Sequence, residues 1–292
     1  MTTEPLDDVL RSLEYSLLAR GRSIHTLRQY KLAATKFSEF IDGAPLRKAT
    51  RGQVEQWLLS LRQAGSKPST VYHYFTGLRT FFKWYSIRDG FTSPMAGIGS
   101  PSVPEPEKRI LTVEEIRRVL ATLKAGRRYR DAAIIALMYD TGMRASEVCG
   151  MKWEDVDWKE NTITLSDTKN GDLRLVPFSY AAGERMDLWR SKGKRKDLPW
   201  LFPGTRGQLT RSGLLQMIRK AFVEIGVDGI GPHSLRHTFA THFLDGSDAH
   251  VSDLMMIAGW KSESMARRYT KDGRQRRAIK AHRENSPLSR LG

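Results

Sequence analysis

The residues that could do chemistry lie in the second half of the chain and form a set suited to a phosphodiester. Attack on a phosphodiester gathers negative charge on its non-bridging oxygens, so fixed cations there stabilise the transition state more than the ground state. Arginine suits this role because its planar fork donates two parallel hydrogen bonds and stays charged at any working pH. The set contains two guanidiniums, an ammonium, an imidazole and a phenol, with no carboxylate cluster to hold a catalytic metal: Arg144, Lys169, His233, Arg236 and Tyr269.

Tyr269 is the candidate nucleophile of this set. A phenol has an unperturbed pKa of about 10, so the attack requires help with its proton, and His233 is the candidate base. The two arginines directly before Tyr269 would lower the pKa of its phenol. Lys169 precedes Asn170-Gly171, a strong hairpin signal, and a lysine on a hairpin tip could protonate the leaving sugar oxygen. The alternative for Lys169 is a solvated surface lysine.

Two further residues extend the set. Glu147 follows Arg144 by three residues, a spacing at which ion pairs are common on helix surfaces, so the spacing alone leaves a surface pair and a functional role equally open. Trp260 follows Gly259 and precedes Tyr269 by nine residues. Its indole N–H can donate one hydrogen bond to a phosphate oxygen but cannot titrate; the alternative is a tryptophan that only packs in the core.

A competing interpretation makes His233 and His237, four residues apart, into metal ligands, with His242 nearby. The zinc-hydrolase helix requires a glutamate directly after the first histidine, and Ser234 stands there instead. We therefore expect no metal and no other cofactor. His237 is expected to pack in the interior or to make a structural hydrogen bond.

The charge of the chain indicates a polyanionic partner. Its 292 residues carry 48 Lys and Arg against 32 Asp and Glu, a formal net charge of +16 with a pI near 10.0. The excess is +6 over residues 1–100 and +10 over residues 101–292, as a chain that holds a polyanion from two sides would have. A basic surface that is merely solvated is the alternative. The apolar share of 40% is sufficient for packed cores.

Cys149 is the only cysteine, which excludes a disulfide framework and a cysteine zinc cluster. Its apolar context favours packing as a small hydrophobe. The first residues lack the apolar segment of a secretory signal, and no stretch approaches the ~20 apolar residues of a membrane span. We therefore expect no membrane association and a cytoplasmic location.

Prolines and glycines between residues 97 and 106 disfavour helix and indicate an extended linker. We assign the linker to residues 98–109, between a first domain at 1–97 and a second at 110–292. Apolar spacing in the first domain predicts a bundle of four helices. Each helix has one local indication in the sequence. The first has periodic apolar residues at 6–19, the second a Ser23 N-cap, the third a Thr50–Gln53 capping box, and the fourth a start at Ser69 or Thr70.

The second domain mixes helices with a small number of short strands. Thr112 and Glu115 form a capping box, and an apolar helix at 132–139 ends near Thr141-Gly142. The predicted strands are Val156–Asp157, Thr162–Leu165 and Leu173–Val176, of which the last two form a hairpin. Further helices are predicted at about 179–190, 211–225, 233–244, 250–258 and 263–269.

In order and spacing, the motifs around Arg144, Lys169, His233, Arg236 and Tyr269 resemble those of the tyrosine site-specific recombinases, the phage integrase and Xer-type family. The resemblance covers nearly the whole chain. It implies a mainly α fold with a small antiparallel β-sheet. A helical bundle, the SAM-like core-binding domain of the family, would precede a mixed α/β catalytic domain.

The resemblance also implies a mechanism and partners. Tyr269 would form a 3′-phosphotyrosyl bond and release a 5′-hydroxyl, and Glu147 would hold a neighbouring side chain. Trp260 stands where many members have histidine, which moves acid–base work to His233 and Lys169. Double-stranded DNA would be the partner, bound by a homotetramer in the bacterial cytoplasm or nucleoid. A directionality factor or a host DNA-bending protein would be an additional partner.

Integration or excision of a phage or mobile element is the function that we expect, with chromosome-dimer resolution as another setting for the same reaction. Two alternatives remain open. A type IB topoisomerase would share the chemistry and relax supercoils without joining two sites. A DNA-binding regulator would use the same cations only to hold phosphate.

Overall fold

The computed structural model describes residues 4–104, 109–166, 173–193, 197–246, 249–260, 262–264, 266, 279 and 282, with the backbone alone at residue 25. The chain divides into two compact units, Met1–Pro106 and Glu107–Gly292. Among the helices of the described ranges, none is both long enough and apolar enough to cross a membrane.

The first unit is the predicted helical bundle. Ser23 Oγ accepts a hydrogen bond from the backbone N of Thr26, and Thr50 and Gln53 form a reciprocal capping box, so both predicted helix starts are confirmed. The helices are α1 (Leu6–Leu18), α2 (Ile24–Phe40), α3 (Arg51–Gln63) and α4 (Pro68–Asp89), with a 3-10 turn at Leu46–Lys48 between α2 and α3.

The predicted start of the fourth helix at Ser69 or Thr70 is wrong. The helix α4 begins at Pro68, and Lys67 is its N-cap. A proline fits the first helical position because its missing N–H has no partner there in any case. This position therefore outweighs the preference of the following serine and threonine for a cap.

The core of the first unit is rich in aromatic side chains. Phe37 packs against Trp57 and Phe82, with ring centroids 5.3 and 5.9 Å apart. The helices α2 and α4 pack closely, because Gly77 lacks a side chain where a Cβ would lie 2.9 Å from that of Ala33. This unit thus has a hydrophobic core of its own.

The described residues of the second unit form helices and two small antiparallel sheets. Its helices are α5 (Val113–Ala125), α6 (Tyr129–Thr141), α7 (Ala145–Gly150), α8 (Tyr180–Lys192), α9 (Arg211–Val223), α10 (Pro232–Asp245) and α11 (Val251–Ala258). Its strands are β1 (Val156–Asp157), β2 (Thr162–Ser166), β3 (Leu173–Pro177), β4 (Pro203–Gly204) and β5 (Gly207–Gln208). The sequence did not predict α7, β4 or β5, which are too short to show a period. Most of the helix predicted at 263–269 lies outside the described residues.

Strands β1, β2 and β3 form the predicted sheet in sequence order. In the hairpin, Thr162 is opposite Pro177 and Ser166 is opposite Leu173, which confirms the antiparallel pairing of β2 with β3. The segment that contains Lys169 connects these two strands. The chain thus returns along β3 directly after that segment.

The helix α6 is central to the second unit. Its Ile134, Ile135, Leu137 and Met138 are fully buried, and it packs against α5, α8, α9 and α10. A helix that is apolar on all sides must lie inside the domain. The residues that follow α6, including Arg144, therefore emerge from a rigid interior element.

Candidate phosphodiester site

Arg144 lies at the junction between α6 and α7. It is the N-cap residue of α7, and its backbone N donates to Glu147 Oε2 at 2.7 Å. Its side chain donates from Nη1 to Glu147 Oε1 at 2.9 Å and from Nη2 to the Gly259 carbonyl at 2.7 Å. The guanidinium is therefore held from two directions, while the side chain stays 41% exposed and accessible to a ligand.

Gly142 allows α10 to approach the end of α6. It terminates α6 in the left-handed region, with φ of +61°, and a Cβ there would overlap the Phe239 ring of α10. Glycine is required on both counts, because a side chain would strain the backbone and collide with the ring. The close approach brings α10 and its Arg236 to the segment that carries Arg144.

Arg236 is buried, with 4% of its surface exposed. Its Nη1 donates to the Gly142 carbonyl, and its Nη2 donates to the Ala258 carbonyl at 2.8 Å. Its guanidinium also lies 5.0 Å from the centre of the Trp260 ring, within cation–π range. A buried cation requires such partners, and these fix its orientation.

The two arginines meet at the C-terminal end of α11. The carbonyl of Ala258 accepts from Arg236 and the next carbonyl, that of Gly259, accepts from Arg144. The last carbonyls of a helix have no partner within the helix and bear partial negative charge, so they are suitable acceptors for guanidiniums. Two cations far apart in sequence thus lie side by side, as binding of a phosphate requires.

Glu147 joins this arginine pair to a third guanidinium, that of Arg174, which was not among the predicted site residues. Its Oε2 lies 3.0 Å from Nη2 of Arg174 on β3, whose side chain is 16% exposed. In β3, Leu173 and Leu175 point outward, whereas Arg174 shares the inner face with buried Val176. Inverted alternation, with leucine outside and arginine inside, is the signal that could have identified it.

His233 and His237 lie on the same helix as Arg236 and differ in burial. His233 is exposed in the first turn of α10, one helical turn before Arg236. His237 is 1% exposed, which confirms the prediction that it packs in the interior. Of the histidines in this motif, His233 is the one accessible to a ligand.

Trp260 is buried, at 5% exposure, in a small cluster formed mainly by α10 and α11. Its backbone N donates to the Met255 carbonyl at 2.9 Å and so closes the end of α11. One face of its ring contacts the guanidinium of Arg236. Trp260 therefore packs in the core and supports Arg236 at the same time.

Lys169 and Tyr269 lie outside the described residues. Other tyrosines are described, and two of them have a phenol whose pKa is raised. Burial raises the pKa of Tyr85, as does Asp89. Burial and the neighbouring Asp140 raise the pKa of Tyr139, which hydrogen-bonds to Nδ1 of His242 at 2.9 Å. Neither environment favours an ionised phenol.

The fold is that of the tyrosine site-specific recombinases. Residues 109–276 match the phage integrase family, and residues 6–89 match the N-terminal SAM-like domain of phage integrases. The chain is 31% identical to tyrosine recombinase XerC of Thermodesulfovibrio yellowstonii over 95% of each protein. It is also 31% identical to XerC of Roseiflexus castenholzii, over 86% of this chain and 84% of that protein. The chain belongs to the phage integrase family, which confirms the resemblance seen in the sequence.

Solved structures share this fold. XerH recombinase bound to a palindromic difH substrate matches with a TM-score of 0.74 and 21% identity, over 95% of this chain and 83% of that one. A lambda integrase dimer bound to a core site also matches with a TM-score of 0.74, at 20% identity over 92% and 77% of the two chains. The predicted fold, a SAM-like bundle followed by a catalytic domain with a small antiparallel sheet, is therefore confirmed.

Proposed function

We propose that this chain recombines DNA at specific sites, with Tyr269 attacking a backbone phosphate held by Arg144 and Arg236. The observation that carries the proposal is the contact of these two guanidiniums with the consecutive carbonyls of Ala258 and Gly259. Tyr269 follows this turn by ten residues. The attack forms the Tyr269 Oη–P bond and breaks the bond from phosphorus to the 5′ oxygen, leaving a 3′-phosphotyrosyl link and a free 5′-hydroxyl.

The remaining residues move protons or hold the arginines. His233 takes the phenol proton, and Lys169 gives a proton to the leaving 5′ oxygen. Glu147 holds Arg144, and Trp260 supports Arg236 through its ring face. Because the phosphotyrosyl link retains the energy of the broken bond, a 5′-hydroxyl can reverse the reaction without ATP or metal.

Double-stranded DNA and further copies of this chain are the proposed partners. The net charge of +16 suits a polyanion. Among structural neighbours, lambda integrase has been solved as a tetramer bound to a Holliday junction. Exchange of strands between two duplexes requires four cleavages and hence four active sites, so we propose a homotetramer on DNA, working in the bacterial cytoplasm or nucleoid. A directionality factor or a host DNA-bending protein is a candidate additional partner.

Integration or excision of a phage or mobile element is the proposed biological role. The structural neighbours include lambda integrase and the integrase of the Tn1549 transposon. The second candidate role is chromosome-dimer resolution, which is favoured by the similarity to proteins named XerC and XerA. The two roles share one chemistry and differ in the DNA site.

A covalent-adduct assay tests the chemistry. The wild-type protein, with EDTA present, is incubated with DNA that carries a nick a few nucleotides beyond the cleaved bond. The short fragment with the free 5′-hydroxyl then dissociates, and the phosphotyrosyl link persists. We expect a protein–DNA band that Tyr269→Phe abolishes, while Tyr139→Phe, the matched control, retains it. A wild-type protein that forms no adduct on any DNA, or a Tyr269→Phe variant that still forms one, would overturn the proposal.

Two further measurements separate the alternatives. A type IB topoisomerase relaxes a supercoiled plasmid that lacks any recombination site, whereas the proposed recombinase does not. A DNA-binding regulator with Arg144→Ala loses some affinity and nothing else, whereas the enzyme loses cleavage. Sequencing of the DNA ends trapped on Tyr269 would identify the site and so distinguish the two biological roles.

A further inference from the structure

The strand β3 brings a third guanidinium, that of Arg174, to the arginine pair. Its Nη2 lies 3.0 Å from Glu147 Oε2, and the other oxygen of the same carboxylate accepts from Arg144. One carboxylate thus connects the strand to the residue that holds the phosphate. An arginine on the inner face of a strand loses hydration, which a charged partner must offset, so this side chain is held there specifically.

Arg174 also packs against the turn that presents the carbonyls to the arginine pair. A Cβ on Gly259 would overlap the Arg174 guanidinium and would lie 3.3 Å from Nη1 of Arg144. Gly259 has φ of +65°, in the left-handed region. The space that a side chain at residue 259 would fill is therefore occupied by guanidinium. Arg174 therefore lies against the residue whose carbonyl accepts from Arg144.

The position of Arg174 near the start of β3 places these contacts next to the segment that contains Lys169. Arg174 is the second residue of β3 and follows Lys169 by five residues. Contacts to Glu147 and Gly259 fix the strand at the point where the Lys169 segment ends. The segment's other end is fixed by the pairing of Ser166 with Leu173.

We propose that Arg174 is a positioning residue that anchors the β2–β3 hairpin to the arginine pair and thereby sets the delivery of the leaving-group proton by Lys169. This inference rests on the proposed function. In the affected step, the Tyr269 Oη–P bond forms, the bond from phosphorus to the 5′ oxygen breaks, and a proton passes from the Lys169 ammonium to that oxygen. Arg174 itself neither gains nor loses a proton.

Replacement of the 5′ bridging oxygen by sulfur tests this role. A thiol has a pKa of about 8.5, so the sulfur leaves readily as a thiolate and requires no proton. The contribution of a general acid, about 10²- to 10⁴-fold, is then no longer needed. On ordinary DNA, Arg174→Ala is expected to form adduct about 10- to 100-fold more slowly than wild type, within that general-acid range. On sulfur-bridged DNA it should recover to about the wild-type rate, as should Lys169→Ala, whereas Arg144→Ala stays defective on both DNAs.

The matched control is Arg117→Ala, which removes an arginine from an exposed ion pair with Glu114 in the same unit. It should behave as wild type on both DNAs. A second variant, Arg174→Lys, keeps the charge but lacks the planar fork that spans Glu147 and Gly259. It should show the same defect and the same recovery, and it replaces Arg174→Ala if the alanine variant does not fold.

The outcomes are distinguishable. A wild-type adduct together with unimpaired Arg174 variants overturns this inference and leaves the proposed function intact. A defect that persists on sulfur-bridged DNA also overturns it, because Arg174 would then act on the phosphate or on the fold and not through the proton. Absence of a wild-type adduct on both DNAs would overturn the proposed function itself.

Discussion

Removal of the Glu147 carboxylate is the perturbation whose effect the structure defines most directly. This carboxylate accepts from the backbone N of Arg144 at 2.7 Å, from its Nη1 at 2.9 Å, and pairs with Arg174 Nη2 at 3.0 Å. In Glu147→Ala all three interactions disappear, and two guanidiniums that shared an anion are left to repel each other. Arg144 should then lose its fixed orientation toward a phosphate.

The size of the effect follows from these contacts. A hydrogen bond to a charged group contributes about 1.5–3 kcal/mol, but the Glu147 side chain is 19% exposed and that of Arg144 41%, so water replaces part of the loss. A net loss of about 2–4 kcal/mol in transition-state stabilisation corresponds to roughly a 30- to 1,000-fold slower cleavage. Glu147→Gln retains one acceptor oxygen and should lose about 1–2 kcal/mol.

The assay is the single-turnover rate of adduct formation on nicked DNA at saturating protein, with DNA affinity measured separately. The matched control is Glu114→Ala, because Glu114 also pairs with an arginine three residues away, yet its side chain is 62% exposed. Such surface pairs contribute about 0–1 kcal/mol, so Glu114→Ala should stay within a few-fold of wild type. If Glu147→Ala cleaved as fast as Glu114→Ala, the carboxylate would not organise the site and our reasoning would be wrong.

The remaining predictions concern the interior. Gly142→Ala should lose about 2–4 kcal/mol of unfolding free energy, since φ is +61° and a Cβ would overlap the Phe239 ring. The control Gly126→Ala should change the stability little, because φ is −76° and a Cβ would lie 3.5 Å from its nearest neighbour, the Thr122 carbonyl oxygen. Equal urea denaturation midpoints for the two variants would contradict this prediction. Burial raises the pKa of the Cys149 thiol to about 11 in the folded protein, whereas a thiol in the unfolded chain has a pKa of about 8.5. The stability that results is fully present below a pH of about 8.5. It decreases above that pH, where only the unfolded chain loses the proton, and it is lost as the pH rises through about 11. At pH 8 a thiol reagent should label the folded protein on the order of 100-fold more slowly than the urea-unfolded chain; equal rates would show an exposed thiol.

Much of the fold could be predicted because local rules decide it. Caps at Ser23, Thr50 and Thr112 satisfy the first N–H groups of a helix through neighbours in sequence, and all three form as expected. The hairpin of β2 and β3 follows equally from alternating side chains around a turn signal. The predicted start of α4 is wrong because a proline and the following serine and threonine all favour the first positions of a helix. The helix α7 was not predicted because six residues are too few to show a helical period.

The candidate site divides in the same way. Motif and residue type were sufficient to select Arg144, Glu147, His233 and Arg236 as candidates. The charge and the proton-transfer capacity of these side chains are properties of the residue type and do not depend on the fold. Their roles, with those of Lys169, Trp260 and Tyr269, stay predictions. The sequence predictions did not include Arg174, because an arginine in a short strand is usually solvated. Its alternation with Leu173 and Leu175 was the available signal, and burial of the side chain supports that interpretation.

The sequence by itself determined the helical segments, the basic charge and the kinds of group available for chemistry on a phosphate. Only the tertiary structure decided that Arg144 and Arg236 share the last turn of α11, and that Glu147 connects Arg144 to β3. The physical reason is that these contacts are made to backbone carbonyls and to a carboxylate on other elements. Carbonyls are present at every residue, and packing alone selects the two that end a helix beside a guanidinium.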